Sequence, residues 1–295
     1  MKTTFLSLAV VCLAVAGGAA APEVAPEAAS NPFESSALPT PATQLDRIVF
    51  AKLSSLDIQP VLCSDAVFVR RVYLDVIGTL PTAKEAREFI QAPDARNKRR
   101  VLIDRLLERE EFPDYWAMRW GDILRIKAEF PVNLWPNAAQ AYHRWVRASI
   151  VENKSYDKFV RELLTSSGSN FRVGQVNFYR AMQNRTPEGI AATVALTFMG
   201  ARAEAWPPDR LSRLAVFFSQ IGYKPTREWK EENVFWDPLH SSAEVAKAAA
   251  GPATDSASPA TTAPPANSGP QTAVLPDGTE IQLPPNRDPR EVFAD

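Results

Sequence analysis

The chain has 295 residues, enough for one large or two modest domains, and with 45% of them hydrophobic it can bury a core. Its 33 Lys and Arg stand against 34 Asp and Glu, so a formal charge of −1 gives no long-range pull toward nucleic acid or anionic lipid and excludes a polyanion-binding class.

The first residues read as a secretory leader, with Lys2 as the charged start, Phe5 to Ala16 as a short apolar run, and small residues from Gly17 to Ala21 suited to a peptidase. Cleavage is expected after Ala20, which would place the protein in the periplasm or cell envelope, peripheral to the membrane at most. Val11 ahead of Cys12, where a small residue would be expected, argues against lipidation. Loss of the leader leaves Cys63 alone, so no disulfide closes within the chain. Cys63 reads either as a half-buried thiol ahead of a helix or as one half of an intermolecular bridge.

Residues 21–43 are mainly Ala, Pro, Glu and Ser and read as a flexible tether, since Phe33 and Leu38 are too little apolar surface to offset the entropy of ordering. From Gln44 the pattern turns helical. Ile48, Val49, Leu53 and Leu56 recur at helical spacing up to Pro60, and Asp65 to Ile77 follows, closed by Gly78 and Pro81. Thr82 with Glu85 forms a capping box for a helix to Ala92. Ala95 to Glu111 continues, Pro113 breaks the chain, and a further helix carries Trp116, Trp120, Ile123 and Leu124 on one stripe, which reads as core. Asn137 to Glu152 and Ser155 to Thr165 add two more.

The stretch from Arg185 to Gly222 has the fullest punctuation. Thr186 as N-cap, Pro187 at the first helical position and Gly200 as a left-handed stop bound one helix; Trp206-Pro207-Pro208-Asp209 opens a second, with Gly222 as its expected stop. That makes nine helices between Gln44 and Gly222. Beyond them Lys230 to Trp236 and the hairpin around Asp277-Gly278 read as strands, expected to share one sheet, with residues 241–271 (Ala, Pro, Thr and Ser) looping out as a disordered insertion. The fold class is mainly α: a multi-helix orthogonal bundle at residues 44–240 with a small C-terminal antiparallel β element at 272–295.

No catalytic residue, cofactor-binding residue or metal ligand can be named from the sequence. His143 and His240 are far apart, no Cys-x-x-Cys-His occurs, and no Gly-x-Ser-x-Gly surrounds Ser167 or Ser169. Glu110-Glu111 and Glu231-Glu232 read as solvated surface pairs, since neighbours in sequence point apart. Arg70 and Arg71 could reach Asp75 or Asp122 in a buried ion pair, whereas Lys98-Arg99-Arg100 reads as a wet helix face.

The blocks Val67 to Ile90, Lys98 to Lys127, Phe159 to Phe171 and Asn177 to Arg202, in this order, resemble the planctomycete cytochrome c-like family of unknown function, DUF1549, over roughly Gln44 to Pro238. The resemblance implies a Cys-x-x-Cys-His and a second His after the TFMG block; here Ala203-Glu204-Ala205-Trp206-Pro207 stands instead, so no haem or other cofactor is expected. Leu275 to Asp295 is similar to the lead-in to a companion domain, family 1553. The chain is therefore expected to be a natural short form or a gene split from a companion protein, its natural partner.

Three functions follow. The chain is a non-catalytic envelope binding or scaffold protein, part of a redox or polysaccharide-processing assembly whose activity lies on the companion, or a carbohydrate or peptidoglycan binder using exposed tryptophans. The candidate contacts are Trp135, Trp206, Trp229 and Trp236 for a ligand, and Val292 and Phe293 for the companion. Exposure of the four indoles would favour the carbohydrate reading, and their burial would weaken it.

Overall fold

The computed structural model describes residues 31–35, 39–93, 97–238 and 272–295. The expected leader, most of the tether, the 241–271 insertion and His240 lie outside them. The chain divides into two compact units, Met1–Val69 and Arg70–Asp295, the division falling within the helix Asp65–Ile77.

In the first unit, Thr43 caps α1 (Gln44–Ser55) in a reciprocal box. Its hydroxyl accepts from the Asp46 N–H at 3.1 Å, and the Asp46 carboxylate accepts from the Thr43 N–H at 2.8 Å. The helix buries none of its residues, and Leu45, Ile48 and Val49 face outward. The periodicity expected there is real, but within this unit it meets no core. An extended bridge pairs Glu34 with Cys63, which is half-buried.

In the second unit the helical expectation holds. After α2 (Asp65–Ile77) come α3 (Ala83–Gln91), α4 (Lys98–Leu107), α5 (Glu111–Ile123), α6 (Pro136–Val151) and α7 (Tyr156–Thr165), then the single turn α8 (Asn177–Arg180), α9 (Pro187–Met199), α10 (Pro208–Ala215) and α11 (Pro289–Ala294). The fold is mainly α. The α3 box forms as expected: Glu85 accepts from the Thr82 N–H at 2.7 Å and also from Arg109 at 2.8 Å. Pro113 is not a break but part of the first turn of α5, where a missing N–H costs nothing because the first-turn donors are unpaired anyway. The core runs through Ala138, Tyr142 and Val146 of α6, Phe159 and Leu163 of α7, Tyr179 of α8, and Ile190, Ala191 and Val194 of α9. Trp120 packs against Phe159 as the stripe predicted, while Trp116 sits at the exposed edge and donates to the Val76 carbonyl at 3.1 Å.

Three expectations are corrected. Arg71 and Asp75 do approach, at 3.7 Å, but on the exposed helix face rather than in a buried pair. Gly200 is a left-handed stop (φ 62°), whereas Gly222 is not: α10 tightens into a 3-10 turn at Val216–Phe218, and the chain enters strand β2 (Ile221–Pro225). Gly222 lies opposite Phe235 across the sheet, and a Cβ there would come within 2.8 Å of that ring, so the glycine serves a close approach. Finally, the Lys230 to Trp236 stretch does not join the C-terminal hairpin. It forms β3 (Glu232–Trp236), antiparallel to β2 on one side and to the two-residue β1 (Gly168–Ser169) on the other. The hairpin of β4 (Thr272–Val274) and β5 (Glu280–Gln282) forms around Asp277-Gly278 as expected, without a third strand. It is not left marginal, because Ala273 and Leu283 enter the helical core.

Candidate functional site

The β2–β3 connection, Thr226 to Glu231, holds the most exposed indole among the candidate tryptophans: Trp229 is 69% exposed. The loop around it is tightly pinned. The Thr226 N–H donates to the Glu231 carbonyl at 3.1 Å, and the Glu231 N–H to the Glu228 carbonyl at 3.1 Å. The Thr226 hydroxyl donates to the Glu231 carboxylate at 2.7 Å and accepts from the Glu228 N–H at 3.1 Å, while Ser169 donates to the other Glu231 oxygen. These two hydroxyls hold the Glu231 carboxyl below the usual carboxylate range. Asn170, fully buried, ties the loop to the helical body by accepting from the Glu232 N–H at 2.9 Å and donating to the Lys230 carbonyl at 3.3 Å. Lys230 itself has φ 63°, a left-handed conformation that a side chain with a Cβ adopts at a cost, and its ammonium lies 5.1 Å from the Trp229 ring centre.

Beside this loop lies a cleft of about 360 Å³ lined by Arg180 and by Pro225 to Glu232. Arg180 ends α8 and is only 13% exposed; its guanidinium stands 2.6 Å from Glu232, while Arg185 stands 3.6 Å from the same carboxylate and 4.9 Å over the Tyr223 ring. One carboxylate thus serves two guanidinium ions. Burial lowers the proton affinity of Arg180, and the neighbouring Arg185 adds to the effect. The Arg180 Nε, the Tyr223 hydroxyl and the Glu232 Oε2 are buried without hydrogen-bond partners among the described residues, so the cluster holds an unmatched acceptor as well as unmatched donors. Burial pushes the Tyr223 phenol up to about 12.

The expectation that Glu231 and Glu232 form a solvated pair is therefore corrected. They do point apart, as strand neighbours must, but Glu231 turns to Ser169 and Thr226 and Glu232 to the two arginines, and each is mostly buried. Arg180 and Arg185 were missed, since their acidic partner sits on a strand far along the chain. The one sequence signal was a pair of arginines on a short stretch with no acid beside them.

The other candidate residues are scattered, and of the four indoles only Trp229 and Trp135 are exposed while Trp206 and Trp236 are half-buried, so the exposure expected of a carbohydrate binder is met in part. Trp135, 38% exposed, precedes α6 with φ 70°. Trp236 is half-buried and donates to Gln220 at 2.7 Å. Val292 and Phe293, on α11, pack against the core, Phe293 lying 5.2 Å from Phe217 and 5.5 Å from Phe218 between ring centres. His143 is half-buried on α6. Ala203–Ala205 forms one 3-10 turn, and the half-buried Trp206 lies under Arg210 at 4.4 Å. This joint offers neither the two thiols nor the imidazole that covalent haem attachment requires, so the residues present do not fit that group. No three of His, Cys, Asp and Glu gather to hold a metal ion among the described residues.

Comparison with family models matches residues 44–204 to the family described as protein of unknown function (DUF1549), more than half of the chain. The chain belongs to the DUF1549 family. The match takes in the helical body of this DUF1549 protein with Arg180 and Arg185, and it stops within the 3-10 turn before Trp206. The Trp229 loop lies beyond it. Neither the curated proteins nor the solved structures contain a match.

Proposed function

We propose that this chain is an exported binding protein of the cell envelope that docks on saccharide through the Trp229 platform, keeping its family's helical scaffold without covalent haem. The observation that carries the reading is an indole held in water by a loop whose hydroxyls, carboxylate and backbone are committed to fixing it. An aromatic side chain on a loop whose backbone is already fixed loses less entropy when an apolar ring face stacks on it than one on a mobile loop, and a pyranose offers such a face with hydroxyls around its rim for the charged groups of the cleft. Export is supported by the leader-like first twenty residues, and the absence of haem by Ala203 to Pro207 standing where the thiol pair would be. The saccharide reading is preferred to companion docking at the C-terminus because Val292 and Phe293 are engaged in their own core.

Co-sedimentation of the mature protein with insoluble polysaccharides, peptidoglycan sacculi included, tests it. Binding to at least one, weakened roughly thirtyfold or more by Trp229→Ala as for an interfacial hot-spot indole, is the expected result. Retention of full binding by the variant would move the site elsewhere.

A further inference from the structure

Resting on the Trp229 reading, we infer that Asn177 and Asn170 are its positioning residues: two buried amides of the helical body set the backbone turn that displays the indole. Both are fully buried and neither lines the cleft. Both lie within the stretch matched to the family, whereas the loop that they hold lies beyond it.

The bonds among Thr226, Glu228 and Glu231 close the loop on itself. Asn170 joins it to the body, and every polar group of that residue is in use. Its backbone N–H donates to the Glu232 carbonyl at 3.0 Å, its Oδ1 accepts from the Glu232 N–H at 2.9 Å, its Nδ2 donates to the Lys230 carbonyl at 3.3 Å, and its own carbonyl accepts from the Asn177 Nδ2 at 2.7 Å. Lys230 is the residue with φ 63°, and a side chain with a Cβ stays in that region only where its surroundings hold it. Without Asn170 the turn relaxes toward negative φ, and rotation there re-aims Trp229, the residue just before it.

Asn177 acts one step further back, at the start of α8. Its Nδ2 faces three carbonyls, those of Asn170, of Gly174 at 3.1 Å and of Ala138 in α6 at 3.3 Å. Three acceptors around one atom identify it as the amide nitrogen. Its Oδ1 is buried without a partner among the described residues, a cost that an apolar side chain would avoid. The amide therefore serves its grip on the carbonyls, and it links the core helix α6, through Asn170, to the turn at Lys230.

The test is nitrogen-15 relaxation of the backbone amides of the full mature chain without ligand, alongside co-sedimentation with the insoluble polysaccharides. In wild type the Trp229 and Lys230 amides are expected to be as ordered as those of β3, with order parameters of about 0.85. Asn170→Ala is expected to drop them below about 0.6 while Val234 and Phe235 keep theirs, and to weaken polysaccharide binding roughly tenfold. Asn177→Leu should act in the same direction with a smaller drop. Lys230→Asn, which tolerates the left-handed turn, should recover part of the order in the Asn170→Ala background. A merely structural role would lower stability and leave the loop amides ordered. Unchanged loop order and binding in Asn170→Ala, or an equal loosening of β3, would overturn the assignment and leave the saccharide reading standing. Where that variant fails to fold, the wild-type relaxation decides, since a mobile Trp229 backbone overturns the assignment by itself. A wild-type protein that sediments with none of the polysaccharides removes the saccharide reading, and the loop amides still decide whether the two asparagines set the turn.

Discussion

Two buried arginines in this protein have opposite surroundings. Arg290, 1% exposed, is fully served: its Nε and Nη2 donate to Asp288 at 3.0 and 2.7 Å, its Nη1 to the Ser166 carbonyl at 3.2 Å, its Nη2 to the Ser167 hydroxyl at 3.1 Å, and its guanidinium lies 5.7 Å from the Tyr179 ring centre. Arg180 shares one carboxylate with Arg185 and has a buried Nε without a partner among the described residues. The adjoining tyrosines repeat the contrast. The Tyr179 hydroxyl donates to the Leu164 carbonyl at 2.6 Å, whereas that of Tyr223 finds no partner among the described residues. A group that only holds the fold together tends to be saturated by the fold. The first site is thus a latch that fastens α11 to the end of α7, and the second keeps hydrogen-bonding capacity beside an open cleft.

If that contrast is right, the largest stability loss belongs to the latch. Arg290→Met leaves the Asp288 carboxylate buried without its partner and should cost about 3–5 kcal/mol in urea unfolding. A loss below about 1 kcal/mol would mean that the latch is not buried in solution. Next come the tyrosines. Tyr179→Phe should lose about 1 kcal/mol with its hydrogen bond, while Tyr223→Phe should be neutral or slightly stabilising, because it removes a buried hydroxyl that the fold does not satisfy. Equal losses at both positions would erase the distinction between latch and cleft.

An effect of similar size, present only above the acid range and remote from both, checks the electrostatics of the capping box. The Thr82 backbone N–H, aided by its hydroxyl, Tyr73 and Arg109 against the cost of burial, holds the Glu85 carboxyl down to about 2. The folded-state value is depressed, so the stabilisation is present above the ordinary carboxylate range and is lost as pH falls from about 4.5 toward 2. Glu85→Gln should therefore destabilise by about 1 kcal/mol near neutral pH and converge with wild type in acid. A difference that does not change with pH would show that charge is irrelevant there.

Local chemistry was legible in the sequence where one short stretch decides the outcome. Thr82 with Glu85, Thr186 with Gly189, and Gly200 each act within a turn of helix, and the structure places these caps where the spacing put them. Gly222 misled because a helix stop and a cross-strand close approach both ask for a residue without a Cβ, and Phe235, which decides between them, lies on another strand. The pairing of β3 with β2 and β1 rather than with the hairpin was illegible in turn, since Gly222 read as a helix stop hid the strand Ile221–Pro225 and Gly168 and Ser169 are too few to read as a strand. Trp229 could be named as a candidate, but its exposure could not be known, and the grouping of Arg180 and Arg185 depends on Glu232 arriving from a distant part of the chain.

The indole N–H resonances provide the most direct test of the ligand platform. The seven tryptophans each give one such signal in a nitrogen-15 correlation spectrum, and that of Trp229 is identified by its loss in Trp229→Ala. Titration with a saccharide that the protein sediments with should shift the Trp229 signal saturably. The signals of Trp145 and Trp116, whose N–H groups are bonded to Glu162 and to the Val76 carbonyl, should stay in place. Movement of Trp135 or Trp206 with an unmoved Trp229, or no shift in any of the seven at saturating ligand, would contradict the assignment.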